Sequence, residues 1–136
     1  GLWTHVIADL PWDDRLDVEK KAKIISALPV TEVKIHSLYI VKGTKLADMY
    51  EKGEVKLLPM EEYLERAALF ISYLRKDIVI QRMVGRASGG NTITVNGGSP
   101  WWEVKDAIHR LLEERNIIQG CWCDYLDGAG VRHFLK

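Results

Sequence analysis

The sequence predicts an α/β chain built from parallel βα units, with a mostly helical C-terminal extension. Two observations carry this. Short runs of alternating, β-branched or aromatic residues (Leu2 to Leu10, Val33 to Val41) are each followed by a helix-capping residue and a helical stretch. The pattern recurs where a helix from Met60 to Lys76 feeds a short strand from Asp77 to Arg82.

Along the first strand, one parity carries Trp3, His5, Ile7 and Asp9. The other carries Leu2, Thr4, Val6, Ala8 and Leu10. The second strand splits the same way, with Lys34, His36, Leu38 and Ile40 against Val33, Ile35, Ser37, Tyr39 and Val41. Each strand thus has a nearly apolar face to place under helices and a mixed face that looks at a cavity or solvent. Asp13 or Asp14 caps the first helix, which runs to Leu28 before Pro29. Leu16, Ala22, Ile24, Ile25 and Leu28 form its expected buried stripe. After the turn Lys42-Gly43-Thr44, Thr44 caps a helix from Lys45 to Lys52, and Gly53 stops it. The third helix has a broad apolar face: Tyr63, Leu64, Ala67, Ala68, Phe70, Ile71 and Leu74. Residues 85–90 read as loop, Thr92 to Val95 as a strand and Asn96-Gly97-Gly98 as a turn. Ser99 and Pro100 open a fourth helix to Arg115, with Trp101, Val104, Ala107, Ile108, Leu111 and Leu112 inward. Asp127-Gly128 suggests a hairpin between Cys121–Leu126 and Val131–Leu135. The predicted division is 1–84 for the βα units and 85–136 for the extension.

The 136 residues suit one domain, and 19 basic residues balance 19 acidic ones. That balance gives no field for nucleic acid or a membrane surface. No apolar run approaches the ~18 residues of a membrane span. No charged segment precedes the apolar residues from Leu2, so a secretory signal is not expected and cytoplasmic residence is. Gly1 leads straight into the first strand, which predicts a piece of a longer chain or a tag scar.

Parallel α/β proteins bind ligands beyond the C-terminal ends of their strands. Those ends carry Asp9, Trp12 and Asp13, then Tyr39, Ile40 and Lys42, then Gln81 and Arg82. The plainer reading of these residues is caps and surface loops. His5 and His36 share mixed faces with Asp9 and Lys34 and could do acid–base work, although structural hydrogen bonding is the commoner role of such histidines. Cys121-Trp122-Cys123 offers two thiols, with His133 as a third donor and no fourth for structural zinc. Reduced thiols are the simpler reading. Gly97-Gly98-Ser99-Pro100 matches no phosphate-binding loop.

Several segments, in order, resemble the C-terminal part of radical SAM proteins of the YhcC-type, related to the Elp3-like group. They are His5-Val6-Ile7-Ala8-Asp9-Leu10-Pro11-Trp12-Asp13-Asp14, Ala27-Leu28-Pro29-Val30, Val33-Lys34-Ile35-His36 and Lys42-Gly43-Thr44-x-Leu46. Met49-Tyr50-Glu51-Lys52-Gly53-Glu54, Pro59-x-Glu61-Glu62-Tyr63 and Ile78-Val79-Ile80-Gln81-Arg82-x-x-Gly85 continue the likeness. Ala107-Ile108, Leu112-Glu113-Glu114-Arg115 and Gln119-Gly120 extend it through about residue 120. The resemblance implies the last βα units of a partial (βα)6 barrel plus the family's extension. It also implies a parent protein that binds a 4Fe-4S cluster and S-adenosylmethionine and cleaves the latter reductively to a 5′-deoxyadenosyl radical. The family's Cys-x-x-x-Cys-x-x-Cys motif and its Gly-Gly-Glu-like segment are absent, so neither cofactor is expected to bind this chain tightly by itself. The resemblance places Asp9, Leu10 and Pro11, and Leu38, Tyr39 and Ile40 (where the family's backbone meets adenine), at the cofactor. Where the family's fifth strand ends Gly-Leu-Pro-Gly-Glu, this chain reads Asp9-Leu10-Pro11-Trp12-Asp13, with both glycines replaced. The implied partner is the remainder of the barrel. The unpaired first strand predicts a homodimer when the chain is isolated. The alternative is a non-catalytic interaction module on a degenerate radical SAM scaffold. RNA binding rests on fold analogy alone and is not expected at neutral charge.

Overall fold

A computed structural model of the chain describes residues 2–84, 92–95 (backbone only) and 100–121. Strand β1 (Leu2–Ile7) is followed by helix α1 (Arg15–Ala27), then β2 (Val30–His36) and β3 (Tyr39–Val41). Helices α2 (Lys45–Glu51) and α3 (Met60–Tyr73), strands β4 (Val79–Arg82) and β5 (Thr92–Val95) and helix α4 (Trp101–Glu114) complete it. β1, β2 and β4 form a parallel sheet in the order β1-β2-β4. β3 and β5 form a separate antiparallel pair. The result is the α/β architecture expected, with parallel βα units followed by a helical segment.

Strand parity decides which face is covered. Val6, Ala8, Val33 and Ile35 lie in a core shared with Val18, Ala22 and Ile25 of α1, Ala67, Phe70 and Ile71 of α3, and Val104 and Ile108 of α4. The opposite parity stays accessible: Trp3 is 59% exposed and Val79 56%. Among the described residues, the helices therefore cover one face of the sheet.

The caps follow local chemistry. Asp14, not Asp13, caps α1: its carboxylate accepts from Asp17 N at 2.9 Å while the Asp17 carboxylate accepts from Asp14 N at 2.9 Å. Thr44 Oγ1 accepts from Ala47 N at 3.1 Å and donates to the Val41 carbonyl at 2.7 Å. Gly53, at φ +76°, takes the left-handed conformation that ends α2.

Three expectations are corrected. The run from Val33 to Val41 is not one strand. β2 begins at Val30 and ends at His36, and β3 joins the other sheet. The Leu38 N–H donates to the Asp9 carboxylate at 2.6 Å, which takes it out of any strand ladder. The stripe of α1 is Val18, Ala22 and Ile25, one face at i, i+4 and i+7, whereas Leu16, Ile24 and Leu28 are exposed. The parallel crossover after β2 is made by α3, whose face fills the core; α2 accompanies β3 instead.

The expected turn at 96–98, the Cys121–Leu126 and Val131–Leu135 hairpin, and Cys123 and His133 lie outside the described residues. Among the described residues, no helix is long and apolar enough to cross a membrane.

Candidate functional site

The site is built where β1 and β2 end. After Ile7 the chain turns through Ala8 to Asp13, and this loop is held from beneath by α3. Arg66, 5% exposed, points its guanidinium at three loop carbonyls: Ala8 at 3.4 Å, Leu10 at 3.1 Å and Asp13 at 2.7 Å. Its Nε also donates to Glu62 at 3.2 Å, and Glu62 accepts two bonds from Arg15. A fork of fixed donors suits converging carbonyls. Lys21 pairs with Asp13 at the loop's end.

Asp9 joins the two strand ends. Its carboxylate is buried and accepts the Leu38 N–H, while Ala8 N donates to the His36 carbonyl at 3.1 Å. Burial pushes its pKa up to about 6, against the opposing pull of the Leu38 N–H, its own N–H and Arg66. Tyr63 is buried near it and donates to the Met83 carbonyl at 2.5 Å; burial, then the Asp9 charge, holds its hydroxyl well above the usual range.

Because Asp9 is raised from 3.8, its acid form is favoured in the folded chain. Its contribution to stability is full below 3.8 and is lost as pH rises through about 6. Asp9→Asn keeps an acceptor for Leu38 and removes the charge. The variant should therefore gain on wild type by up to roughly 3 kcal/mol as pH rises across this window. Urea unfolding of both proteins across the window checks this; parallel profiles would show that the carboxyl is well solvated.

The six residues placed at the cofactor by the resemblance fall into one region but play different parts. Asp9 and Leu38 are buried and bonded to each other, Ile40 is fully buried, Leu10 and Pro11 are half-buried, and Tyr39 is 39% exposed. A groove of about 370 Å³ runs over the open sheet face beside them, lined by His5, Ile7, His36, Ser37, Leu38 and Tyr39. His5 and His36 meet there rather than pairing with Asp9. Their Nδ1 and Nε2 atoms are 2.6 Å apart and the rings stack at 4.8 Å. Burial first, then His5, Arg82 and Lys34, hold His36 below the ordinary imidazole pKa. Trp12, 64% exposed, projects from the loop, and Gln81 of the third strand end is bonded to Glu32 at 2.7 Å. Sequence reasoning missed Arg66; the available signal was a charged residue set within the apolar face of α3.

The described residues fit no iron–sulfur cluster. Cys121 is exposed, and no group of three or more His, Cys, Asp or Glu is placed to hold a metal among them. Gly120 packs against Leu74 and Lys76, which precede β4, so Cys121 lies at the opposite end of the sheet from Asp9 and Leu38.

A family model described as the Radical_SAM C-terminal domain matches residues 30–114. This chain belongs to that family. It is 31% identical over 121 residues to the uncharacterized protein YtqA of Bacillus subtilis, covering 86% of this chain and 36% of that protein. It is 34% identical over 121 residues to an uncharacterized protein of Methanocaldococcus jannaschii, covering 85% and 36%. Protein YhcC of Escherichia coli is 25% identical over 114 residues, covering 84% and 37%. The chain thus spans little more than a third of the length of these relatives. Among solved structures, the archaeal Methanocaldococcus infernus Elp3 with an N-terminal deletion superposes with a TM-score of 0.60 at 17% identity, over 86% of this chain and 28% of that one. That likeness shows a shared fold.

Proposed function

We propose that this chain is the C-terminal part of a radical SAM enzyme and lines the cofactor cavity of its barrel. The observation that carries this reading is the one-sided sheet. Among the described residues, helices cover one face, the other carries Trp3, His5, Lys34 and His36 in the open, and β1 is an edge strand paired only with β2. Beside that edge runs an apolar groove of about 350 Å³ bordered by Ile7, Leu10 and Ile24. This is the surface a preceding βα unit would cover, and it accounts for the exposure of Ile24. Such a unit, with the rest of the barrel, would supply the cluster's thiolates.

When bound in the parent protein, S-adenosylmethionine at a 4Fe-4S cluster supplies the 5′-deoxyadenosyl radical. This chain's part is to shape the cavity wall. Asp9, Leu10 and Pro11 form one rim and Leu38, Tyr39 and Ile40 the other, and Arg66 and the Asp9–Leu38 bond fix the distance between them. The groove's apolar walls and histidine rings suit one side of a nucleoside. In this reading residues 1–84 complete the barrel and 85–136 form the extension, and the protein works in the cytoplasm. Sequencing the reading frame upstream of Gly1 tests the proposal: a Cys-x-x-x-Cys-x-x-Cys segment there supports it, and a start codon in its place overturns it. The second reading, a non-catalytic interaction module on a degenerate scaffold, is favoured by Trp12, whose ring stands at the rim in place of the family's glycine.

Two further results are expected of the 136-residue chain by itself. Anaerobic reconstitution should leave it without iron and sulfide, because two cysteines cannot supply three thiolates. A stable stoichiometric cluster in a monomeric sample would refute this. The chain should also self-associate through β1, whose Leu2 to Ala8 segment carries no Lys, Pro or Glu to protect the edge. Trp3 is exposed whereas Val6 is in the core, so Trp3→Lys is the suitable disrupting variant. Sedimentation equilibrium should show a wild-type dimer and a monomeric variant. A wild type that stays monomeric at high micromolar concentration would count against an available edge.

A further inference from the structure

We propose that Lys34 and Arg82, with the His5–His36 pair beside them, form a site on the open sheet face for a phosphate or carboxylate group of a substrate or second ligand. Lys34 and Arg82 are direct partners across the parallel β2–β4 ladder. Like charges opposite one another weaken a sheet, and an anion held between them removes that cost. Among the described residues neither takes part in an ion pair. Two carboxylates near these strands are otherwise engaged: Glu32 of β2 accepts from Gln81, and Asp9, in the loop after β1, is buried on the Leu38 N–H.

Lys34 is positioned rather than loose. Lys34 Nζ sits 5.3 Å from the centre of the Trp3 ring, and the Trp3 edge meets the His5 ring at 5.1 Å. His5 in turn holds His36 at 2.6 Å, a contact that needs one ring to donate and the other to accept. This chain of contacts leads from Lys34 to His36, on which the charges of Lys34 and Arg82 both act. Two cations, a polarised histidine pair and an aromatic wall on one half-covered face form a recognition surface for a planar or tetrahedral oxyanion. The site lies toward the C-terminal ends of β2 and β4, the end at which parallel sheets hold ligands. The inference rests on the reading of this face as a cavity wall. Its test uses no cofactor chemistry, so it can fail while the upstream reading frame still supports the radical SAM assignment.

The experiment follows the histidine Hε1 resonances of the full 136-residue chain during titration with inorganic phosphate, acetate or S-adenosylmethionine at constant ionic strength. Phosphate should shift the His5 and His36 signals saturably and raise the His36 pKa, because burial depresses it first and an anion offsets the Arg82 and Lys34 charges that add to that effect. Its affinity should fall about 10-fold in Lys34→Gln and in Arg82→Gln, persist in Lys34→Arg, and be unchanged in Lys20→Gln on the solvent side of α1. Should either glutamine variant lack a folded far-UV spectrum, the phosphate-induced rise in thermal midpoint of wild type against the other variant gives the same comparison. A linear shift without saturation, or equal affinity in wild type and variants, overturns the site. Binding of S-adenosylmethionine with the same dependence on Lys34 and Arg82 overturns its assignment to a second ligand.

Discussion

Leu38→Asp should leave no soluble, folded chain. Leu38 is 9% exposed, and its own N–H already holds the buried Asp9 carboxylate at 2.6 Å. The substitution places a second carboxylate in a site where the first is already pushed up to about 6 by burial. Like charges in a poorly solvated site cannot both ionise without a large penalty. Burying an unpaired carboxylate costs several kcal/mol, a large share of the ~5–15 kcal/mol by which a domain is stable. Leu38→Ala separates the contributions: it keeps the backbone bond to Asp9 and should lose about 2–3 kcal/mol to the cavity alone. Expression in the soluble fraction and thermal unfolding by circular dichroism check both. A soluble Leu38→Asp chain with an unchanged midpoint would mean that the side chain at position 38 reaches water and is not buried beside Asp9.

Arg66→Met should lower stability by about 3–5 kcal/mol and loosen the loop between Ala8 and Asp13 selectively. Methionine fills much of the same volume, so the loss falls on the guanidinium. Three carbonyls lose the guanidinium together, and Glu62 retains only Arg15. The carbonyl of Leu10 then keeps only the Asp13 N–H at 3.1 Å, while those of Ala8 and Asp13 turn to water or stay unsatisfied, and the strain frees Pro11 and Trp12 from their present place. Urea unfolding gives the global effect, and amide hydrogen exchange of residues 9–13 gives the local one. Arg66→Lys should recover part of the stability with one compact charge but not the loop's protection, since an ammonium does not reproduce the fork. If exchange in this loop stays at the wild-type rate in Arg66→Met, the loop is held by Asp9 and Leu38 instead.

What could be read along the chain was what local chemistry writes there. The parity of Val6, Ala8, Val33 and Ile35 against Trp3, His5, Lys34 and His36 marked the covered and open faces, because successive side chains on a strand point to opposite sides. Thr44, Gly53 and the start of α1 were legible because capping residues satisfy backbone groups within three or four positions. The family, too, was legible, from short segments in the right order.

Tertiary structure decided the rest, through partners distant in sequence. The break of the expected second strand at Ser37 follows from Asp9, 29 residues away, capturing the Leu38 N–H. Arg66 reaches carbonyls 53 to 58 residues back, so its role has no local pattern. The burial of Val18 in place of Leu16, Ile24 and Leu28 depended on how α1 rolls against the sheet and α3, which apolar periodicity alone leaves open. Likewise, only the β1-β2-β4 order set Lys34 beside Arg82 and His5 against His36. Hydrophobic pattern and caps act over one turn or one pleat, whereas strand order, buried polar bonds and charge proximity arise only when remote segments pack.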